Sequence, residues 1–540
     1  MKQATDITPD DFLQEAEKLE STPAETAPAV KAVLDKLLKD VSYINFDDEV
    51  NAKINERIKE LQTVLTPVQD DGSTGKCKLP KDEQDALKKQ LDTLYKRKQA
   101  ITQKHYKIIT IEKLLQLIET KDWGLCHRQS FFYAYNGQYW VPIDTDVLRS
   151  FLGKVALKMG VPKFEAKDAD FRRKLFEQFV SEGHLPEPDI PSGTVLINLQ
   201  NGTFQIGPDG HQLKDFNRDD FLTYQLPFGY NKQATAPQFR AFLNEVLPDM
   251  ESQRVLAEYF GWIFIKGLKL EKALVLYGSG GNGKSVIFDV LTALLGPENV
   301  TSYPLKSLTD EQGYHRAKLA KTLVNYASEI SGNLDTNLFK ALISNEPVQA
   351  RLPYKEPFIL TDYGKFIFNA NELPIAGEIN NAYFRRFLIL PFPVEVPPEK
   401  QDKGLAQKII ANELPGVLNW ILEGLHRLLE QRNFSRCKAA DDVVAAYKAE
   451  SDTARLYMDE QRFTPTPEME QKYRFPLAHI YREYRQFCFD DGYKPVSKRK
   501  FKNRLQAIGF VVDKTDKGQT VFAEIESEPV SHNPSADEPF

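Results

Sequence analysis

Apolar residues recur at three- and four-residue steps in two early stretches: Val50, Ile54, Ile58, Leu61 and Leu65, then Leu87, Leu91, Leu94 and Ile101. That period belongs to amphipathic helices. The breaker-rich DGSTGKCKLP between them predicts an antiparallel helical hairpin, a charged and solvated spacer. From about Ile109 the pattern becomes mixed α/β. Phe131–Trp140 (FFYAYNGQYW) and Val195–Ile206 (VLINLQNGTFQI) predict strand–turn–strand units around Asn-Gly turns. Ala236–Leu270 has a helical, amphipathic pattern. Beyond it, short apolar strands alternate with helical stretches to about Phe392, which predicts a parallel sheet. Gln401–Glu460 is predicted helical, and Tyr473–Ile525 to form two helices and a hairpin. Glu20–Val30 is predicted to be a flexible linker and acidic Glu526–Phe540 to be disordered.

At 540 residues the chain exceeds one hydrophobic core, so several domains are expected. A net charge of -6 means that any nucleic-acid contact must come from local basic patches. Cys77, Cys126, Cys437 and Cys488 are too scattered for a zinc pair or a disulfide framework, which suits a reducing compartment. Met1–Phe12 lacks the apolar core of a signal peptide, and no apolar run approaches the ~20 residues of a membrane span. A cytoplasmic protein with no membrane partner is expected, in a bacterial host if phage- or plasmid-encoded.

The apolar strand Lys272–Tyr277 runs directly into Gly278-Ser279-Gly280-Gly281-Asn282-Gly283-Lys284-Ser285, followed by a helical stretch from Val286. This fits G-x-x-x-x-G-K-[ST] in the strand–loop–helix setting the motif requires. Glycines let backbone N–H groups curl around a phosphate, and the helix N-terminus adds partial positive charge. Lys284 would reach the β- and γ-phosphates, and the Ser285 hydroxyl would ligate Mg²⁺. ATP and Mg²⁺ are therefore the expected cofactors.

A phosphate loop needs an acidic partner on a neighbouring strand. Thr322–Ala327 is a candidate strand, with Glu329 near its tip as catalytic and metal-holding residue. Lys365–Ala370 is another, ending at Asn371-Glu372-Leu373-Pro374. Tyr383-Phe384-Arg385-Arg386-Phe387 then leads into Leu388–Pro391. The order GSGGNGKS, YASEI, FNANELP, FRRFLILPF resembles superfamily 3 helicases of the phage/plasmid primase C-terminal type, with relatives in large DNA viruses. LINLQNGTF, LTYQLPFGYN, FLNEVLPD and EYFGWIF upstream, and LPGVLNWILEGLHRL downstream, extend the resemblance over about Lys107–Ile525.

The resemblance implies that Gly278–Val286 bind nucleotide, that Glu329 is the acidic residue of the second motif, and that Asn371 is the polar sensor. It implies that Arg385 or Arg386 reaches a neighbouring subunit's nucleotide. Many relatives carry two adjacent acidic residues at the second motif. Here Ser328 precedes Glu329, which leaves open whether Glu329 also acts as general base.

Two segments are candidates for DNA. Val348–Phe358 (VQARLPYKEPF) is a plausible hairpin with Arg351 and Lys355 near its turn, where the family's channel hairpin stands. Tyr493–Val512 carries Lys498, Arg499, Lys500, Lys502 and Arg504 and no acidic residue, while Phe501, Leu505 and Ile508 mark an inward face. With the hairpin after it, this suggests a winged helix. Relatives often carry a primase, and Asp144-Thr145-Asp146 invites that reading. No accompanying His or third carboxylate supports it, so priming is assigned to a separate protein.

The expected fold is multidomain α/β, with an AAA+-like P-loop ATPase core. The expected divisions are a helical N-terminal extension (1–106), a mixed α/β pre-motor domain (107–234), the ATPase (235–395), a helical segment (396–460), a winged helix (470–526) and a tail (527–540). The expected function is ATP-dependent unwinding by a homohexameric ring acting on single-stranded and forked DNA. The alternatives are a DNA-stimulated translocase or packaging ATPase, and a non-unwinding initiator or loader.

Overall fold

The computed structural model describes residues 28–66, 77, 79–121, 124–128, 131–183, 194–207, 210–328, 330, 335–352, 356–374, 381–467, 473–493, 495–515 and 518–525. The chain divides into two compact units, one of residues 1–198 with 202–225 and one of residues 199–201 with 226–540. Pro28–Val30, inside the expected linker, already belong to a helix, and the rest of that segment lies outside the described residues.

In the first unit, helices α1 (Pro28–Asp40), α2 (Phe46–Leu65), α3 (Lys81–Arg97) and α4 (Gln103–Thr120) precede strands β1 (Leu125–Arg128), β2 (Phe131–Tyr135) and β3 (Trp140–Ile143). The α2–α3 pair is the hairpin expected from its periodicity, with Gln62 Nε2 donating to Tyr95 Oη at 3.0 Å. Helix α3 buries no residue, as its charge predicts. Strands β1–β3 form an antiparallel sheet. Helices α5 (Thr145–Met159), α6 (Lys163–Lys167) and α7 (Ala169–Glu182) follow. Leu148, Leu152, Val155, Phe171, Leu175 and Phe179 pack with Ile111 and Leu114 of α4 into one core. Asp144 caps α5, accepting from the backbone N–H of Asp146 and Val147, so this carboxylate has a structural role. Strands β4 (Val195–Leu199), β5 (Gly202–Gly207) and β6 (Gly210–Lys214) make a second sheet, whose third strand the Asn-Gly hairpin pattern did not reveal.

In the second unit, the expected helix over Ala236–Leu270 breaks at Leu247–Asp249 into α8 (Pro237–Val246) and α9 (Met250–Trp262). Asp249 explains the break, because it caps α9 by accepting from Glu251 N and Ser252 N. Strand β7 (Ala273–Tyr277) leads into α10 (Lys284–Leu295). Next come β8 (Val300–Thr301), β9 (Val324–Ala327), β10 (Val348–Ala350), β11 (Phe358–Leu360), β12 (Lys365–Ala370) and β13 (Phe387–Pro391). Five of these form a parallel sheet in the order β13-β7-β12-β9-β8, while β10 and β11 pair separately. Strands β7, β9, β12 and β13 are near-continuous apolar runs, as strands covered on both faces must be.

Helices α11 (Leu405–Asn412), α12 (Leu414–Gln431), α13 (Lys438–Glu450) and α14 (Thr453–Glu460) follow the sheet. Helix α12 crosses α9 closely: a Cβ on Gly424 would stand 2.3 Å from the Ala257 carbonyl carbon. Buried Glu258 is satisfied there by Arg427 Nε at 3.2 Å and Ser435 N at 2.8 Å. Tyr447 of α13 enters the core under β13. The last core joins Tyr457 and Met458 of α14 to β14 (Phe463–Pro465), β15 (Arg474–Pro476), α15 (Leu477–Asp490), α16 (Lys498–Ala507), β16 (Val511–Thr515) and β17 (Gly518–Ile525). Thus α14, grouped from its sequence with the preceding helices, packs with the C-terminal unit. The order is helix, strand, helix, helix, hairpin, with β14 as an added edge strand against β17.

Candidate nucleotide and nucleic-acid site

Gly278–Gly283 form the turn between β7 and α10, at the carboxyl edge of the parallel sheet, where ligands of open α/β sheets bind. Two close approaches require glycine. Gly283 has φ +80°, and a Cβ there would stand 2.7 Å from the Phe242 ring. At Gly278 a Cβ would meet the Phe392 carbonyl oxygen at 2.6 Å.

Lys284 is buried and its ammonium is folded onto the loop. It donates to Gly278 O (2.6 Å), Ser279 O (2.8 Å) and Asn282 Oδ1 (2.8 Å), and burial lowers its pKa. A phosphate in the turn can replace those three acceptors. Ser285, on the first turn of α10, exposes its side chain. The segment after β13 braces the loop: Asn282 Nδ2 donates to Phe392 O at 3.3 Å, and Val396 N to Gly281 O at 2.9 Å. No motif marks that brace, so sequence reasoning missed it.

The sheet order puts the other candidates on the same edge. Ala370 pairs with Tyr277, and Gly278 N donates to Ala370 O at 3.0 Å, so Asn371 follows β12 directly beside the loop, exposed. Ser328 follows β9 one strand further on, where Phe368 pairs with Ala327. Glu329 lies outside the described residues. Behind this edge Tyr326 Oη donates to Asn369 Oδ1 at 3.0 Å.

Arg385 and Arg386 stand at the opposite edge. Ala273 N donates to Arg386 O at 2.7 Å, and Phe387 pairs with Ala273, five residues before Gly278. At ~3.3 Å per residue that separation is about 16 Å, beyond an arginine's reach. The two side chains differ. Arg386 is buried, bonding Ser344 Oγ from Nε (3.2 Å) and Nη2 (2.9 Å) and Ala382 O from Nη1 (2.5 Å), so it ties β13 to its surroundings. Arg385 is 63% exposed and donates to Glu271 Oε2 at 3.2 Å.

Strands β10 and β11 form the expected hairpin, with Arg351 exposed past β10 and Ile359 exposed on β11. Lys355 lies outside the described residues. On α16, Phe501 and Leu505 are buried while Lys498, Arg499 and Lys500 are exposed and Lys502 is half-buried. Arg504 differs from the group: its Nη1 pairs with Asp452 at 3.1 Å. No helix among the described residues is long and apolar enough to cross a membrane.

The fold and edge geometry define a multidomain α/β protein whose parallel sheet carries a glycine-rich, lysine-bearing turn. Three family models match parts of it. A D5 N-terminal-like model matches residues 102–248, and a poxvirus D5 protein-like model matches 459–529. A family of unknown function (DUF5906) matches 276–386, between them. A putative helicase of Acanthamoeba polyphaga mimivirus (L207/L206) is 23% identical over 221 residues, 38% of this chain. The chain spans 22% of that relative's length. Apo structures of the NrS-1 C-terminal region cover 78% of the chain and 99% of their own, at 14% identity and a TM-score of 0.44. Residues 102–248 and 459–529 are thus similar to D5-type proteins, and part of the chain to a protein named a putative helicase.

Proposed function

We propose that this chain is the ATP-hydrolysing motor of a replicative DNA helicase that works as a homohexameric ring. One observation carries the proposal: the lysine-bearing turn and Asn371 share one edge of the sheet, while Arg385 projects from the other. A subunit so built offers a phosphate site on one side and an arginine on the other, and each needs a neighbour. The strand order β13-β7-β12-β9-β8 suits an AAA+-like core, the C-terminal unit suits a winged helix, and the mimivirus relative's name agrees with a helicase.

In this mechanism the backbone N–H groups of Gly280–Ser285 hold the phosphates and Lys284 leaves its three loop acceptors for the β- and γ-oxygens. Ser285 and Glu329 would hold Mg²⁺, which neutralises phosphate charge when bound. The donor set fits it, a serine hydroxyl exposed on the first turn of α10. Asn371 orients the attacking water, and Arg385 of the next subunit stabilises charge developing on the γ-phosphate. Arg351 and Lys355 on the β10–β11 hairpin contact the strand in the channel, and Lys498, Arg499, Lys500 and Lys502 contact duplex phosphates.

Steady-state ATP hydrolysis with and without single-stranded DNA tests this. Wild type is expected to hydrolyse ATP faster with DNA, and Lys284→Ala to lose hydrolysis in both conditions. Equal rates for the two proteins would overturn the assignment of the site.

A further inference from the structure

We infer that Glu271 is the positioning residue for Arg385, turning its guanidinium to present it to the neighbouring subunit's nucleotide. This rests on the proposed trans-acting role of Arg385.

The geometry is local and specific. Glu271 Oε2 accepts from Arg385 Nη2 at 3.2 Å and lies 3.5 Å from Arg386 Nη2. One carboxylate oxygen thus meets both arginines. It engages one nitrogen of Arg385, and the remaining N–H groups of the fork are those a phosphate could use. The backbone is held as well. Lys272 Nζ donates to Arg385 O at 2.6 Å and to Phe387 O at 3.3 Å, and Ala273 N donates to Arg386 O at 2.7 Å. Glu271–Ala273 therefore grip Arg385–Phe387 along both main chain and side chain.

Glu271 has φ +52°, in the left-handed region that non-glycine residues rarely adopt. Such backbone persists where the surroundings over-determine it, often at functional sites. Arg386, 8% exposed and bonded to Ser344, lies 3.5 Å from the same carboxylate oxygen and so gives it a fixed neighbour. An exposed ion pair contributes little to stability. Its value here lies in orientation: an arginine free to rotate must be ordered at each hydrolysis, whereas one already turned is not.

The test uses the full chain and ATP hydrolysis with single-stranded DNA, on Glu271→Ala, Glu271→Gln and Arg385→Ala, each alone and each mixed with Lys284→Ala. Glu271→Ala is expected to lower kcat on the order of tenfold, a small part of the 10³–10⁵ that a trans-acting arginine supplies. KM for ATP should hold, since its own phosphate loop is intact. Glu271→Gln, which keeps an acceptor oxygen without the charge, should fall between wild type and Glu271→Ala. Mixing Glu271→Ala with Lys284→Ala should recover activity, because a Lys284→Ala subunit presents an intact Glu271–Arg385 pair to a neighbour with an intact loop. Unchanged kcat in Glu271→Ala overturns the inference. So does a loss that mixing fails to recover while the Arg385→Ala mixture recovers, since Glu271 would then act within its own chain. If the Arg385→Ala mixture itself fails to recover, the trans-acting reading fails and takes the inference with it.

Discussion

Two lysines of the sheet domain show how placement decides what an ammonium does. Lys284 has three acceptors within 2.8 Å, so its charge is kept ready by the loop it serves. Half-buried Lys365 lies 4.3 Å over the Trp262 ring, and burial lowers its pKa from 10.5 to about 8. The ring face attracts the ammonium by about 0.5–2 kcal/mol, yet burial outweighs the nearby Asp362 carboxylate and leaves the pKa lowered. Below about pH 8 both folded and unfolded chains carry the proton and the penalty is fully present. Between about 8 and 10.5 only the unfolded chain holds it, so stability rises with pH. Denaturant midpoints at about pH 7.5 and 9.5 check this. Wild type should gain relative to Lys365→Met as pH rises, and parallel profiles would contradict the account.

At the scale of elements, the C-terminal unit separates two kinds of basic residue that look alike in sequence. Lys498, Arg499 and Lys500 extend from α16, whereas Arg504 pairs with Asp452, which also caps α14 through Ala454 N. Arg504→Ala or Asp452→Ala should therefore destabilise the unit by about 1–2 kcal/mol and leave duplex affinity nearly unchanged. Charge reversal at Lys498 or Arg499 should weaken duplex binding and flatten its salt dependence by about one phosphate contact each. Thermal melts and salt-titrated anisotropy read the two effects separately, and the reverse pattern would contradict the assignment. The inward face was legible because Phe501 and Leu505 obey helical spacing. The fate of Arg504 was not, because its partner lies 52 positions away. Strands β7, β9, β12 and β13 announced themselves as short apolar runs, but β6 (GHQLK) has no buried residue and so left no pattern. Glu271 was invisible for a similar reason: its partners Arg385 and Arg386 are brought to it by the pairing of β7 with β13.

For the whole molecule, the parallel sheet makes the subunit two-ended. Gly278, Lys284 and Asn371 gather at one edge, and Arg385 leaves from the other, so under the proposed function an isolated chain would lack its charge-stabilising arginine. In the proposed mechanism a ring closes that deficit head to tail, and its nucleotide cycle moves the β10–β11 hairpin against one DNA strand. The most direct measurement is strand displacement on forked DNA, wild type beside Lys284→Ala, with ATP hydrolysis recorded in the same tubes. Displacement and hydrolysis by wild type, and neither by Lys284→Ala, is the predicted result. Hydrolysis by wild type with no strand displaced would contradict a helicase and favour a translocase or an initiator.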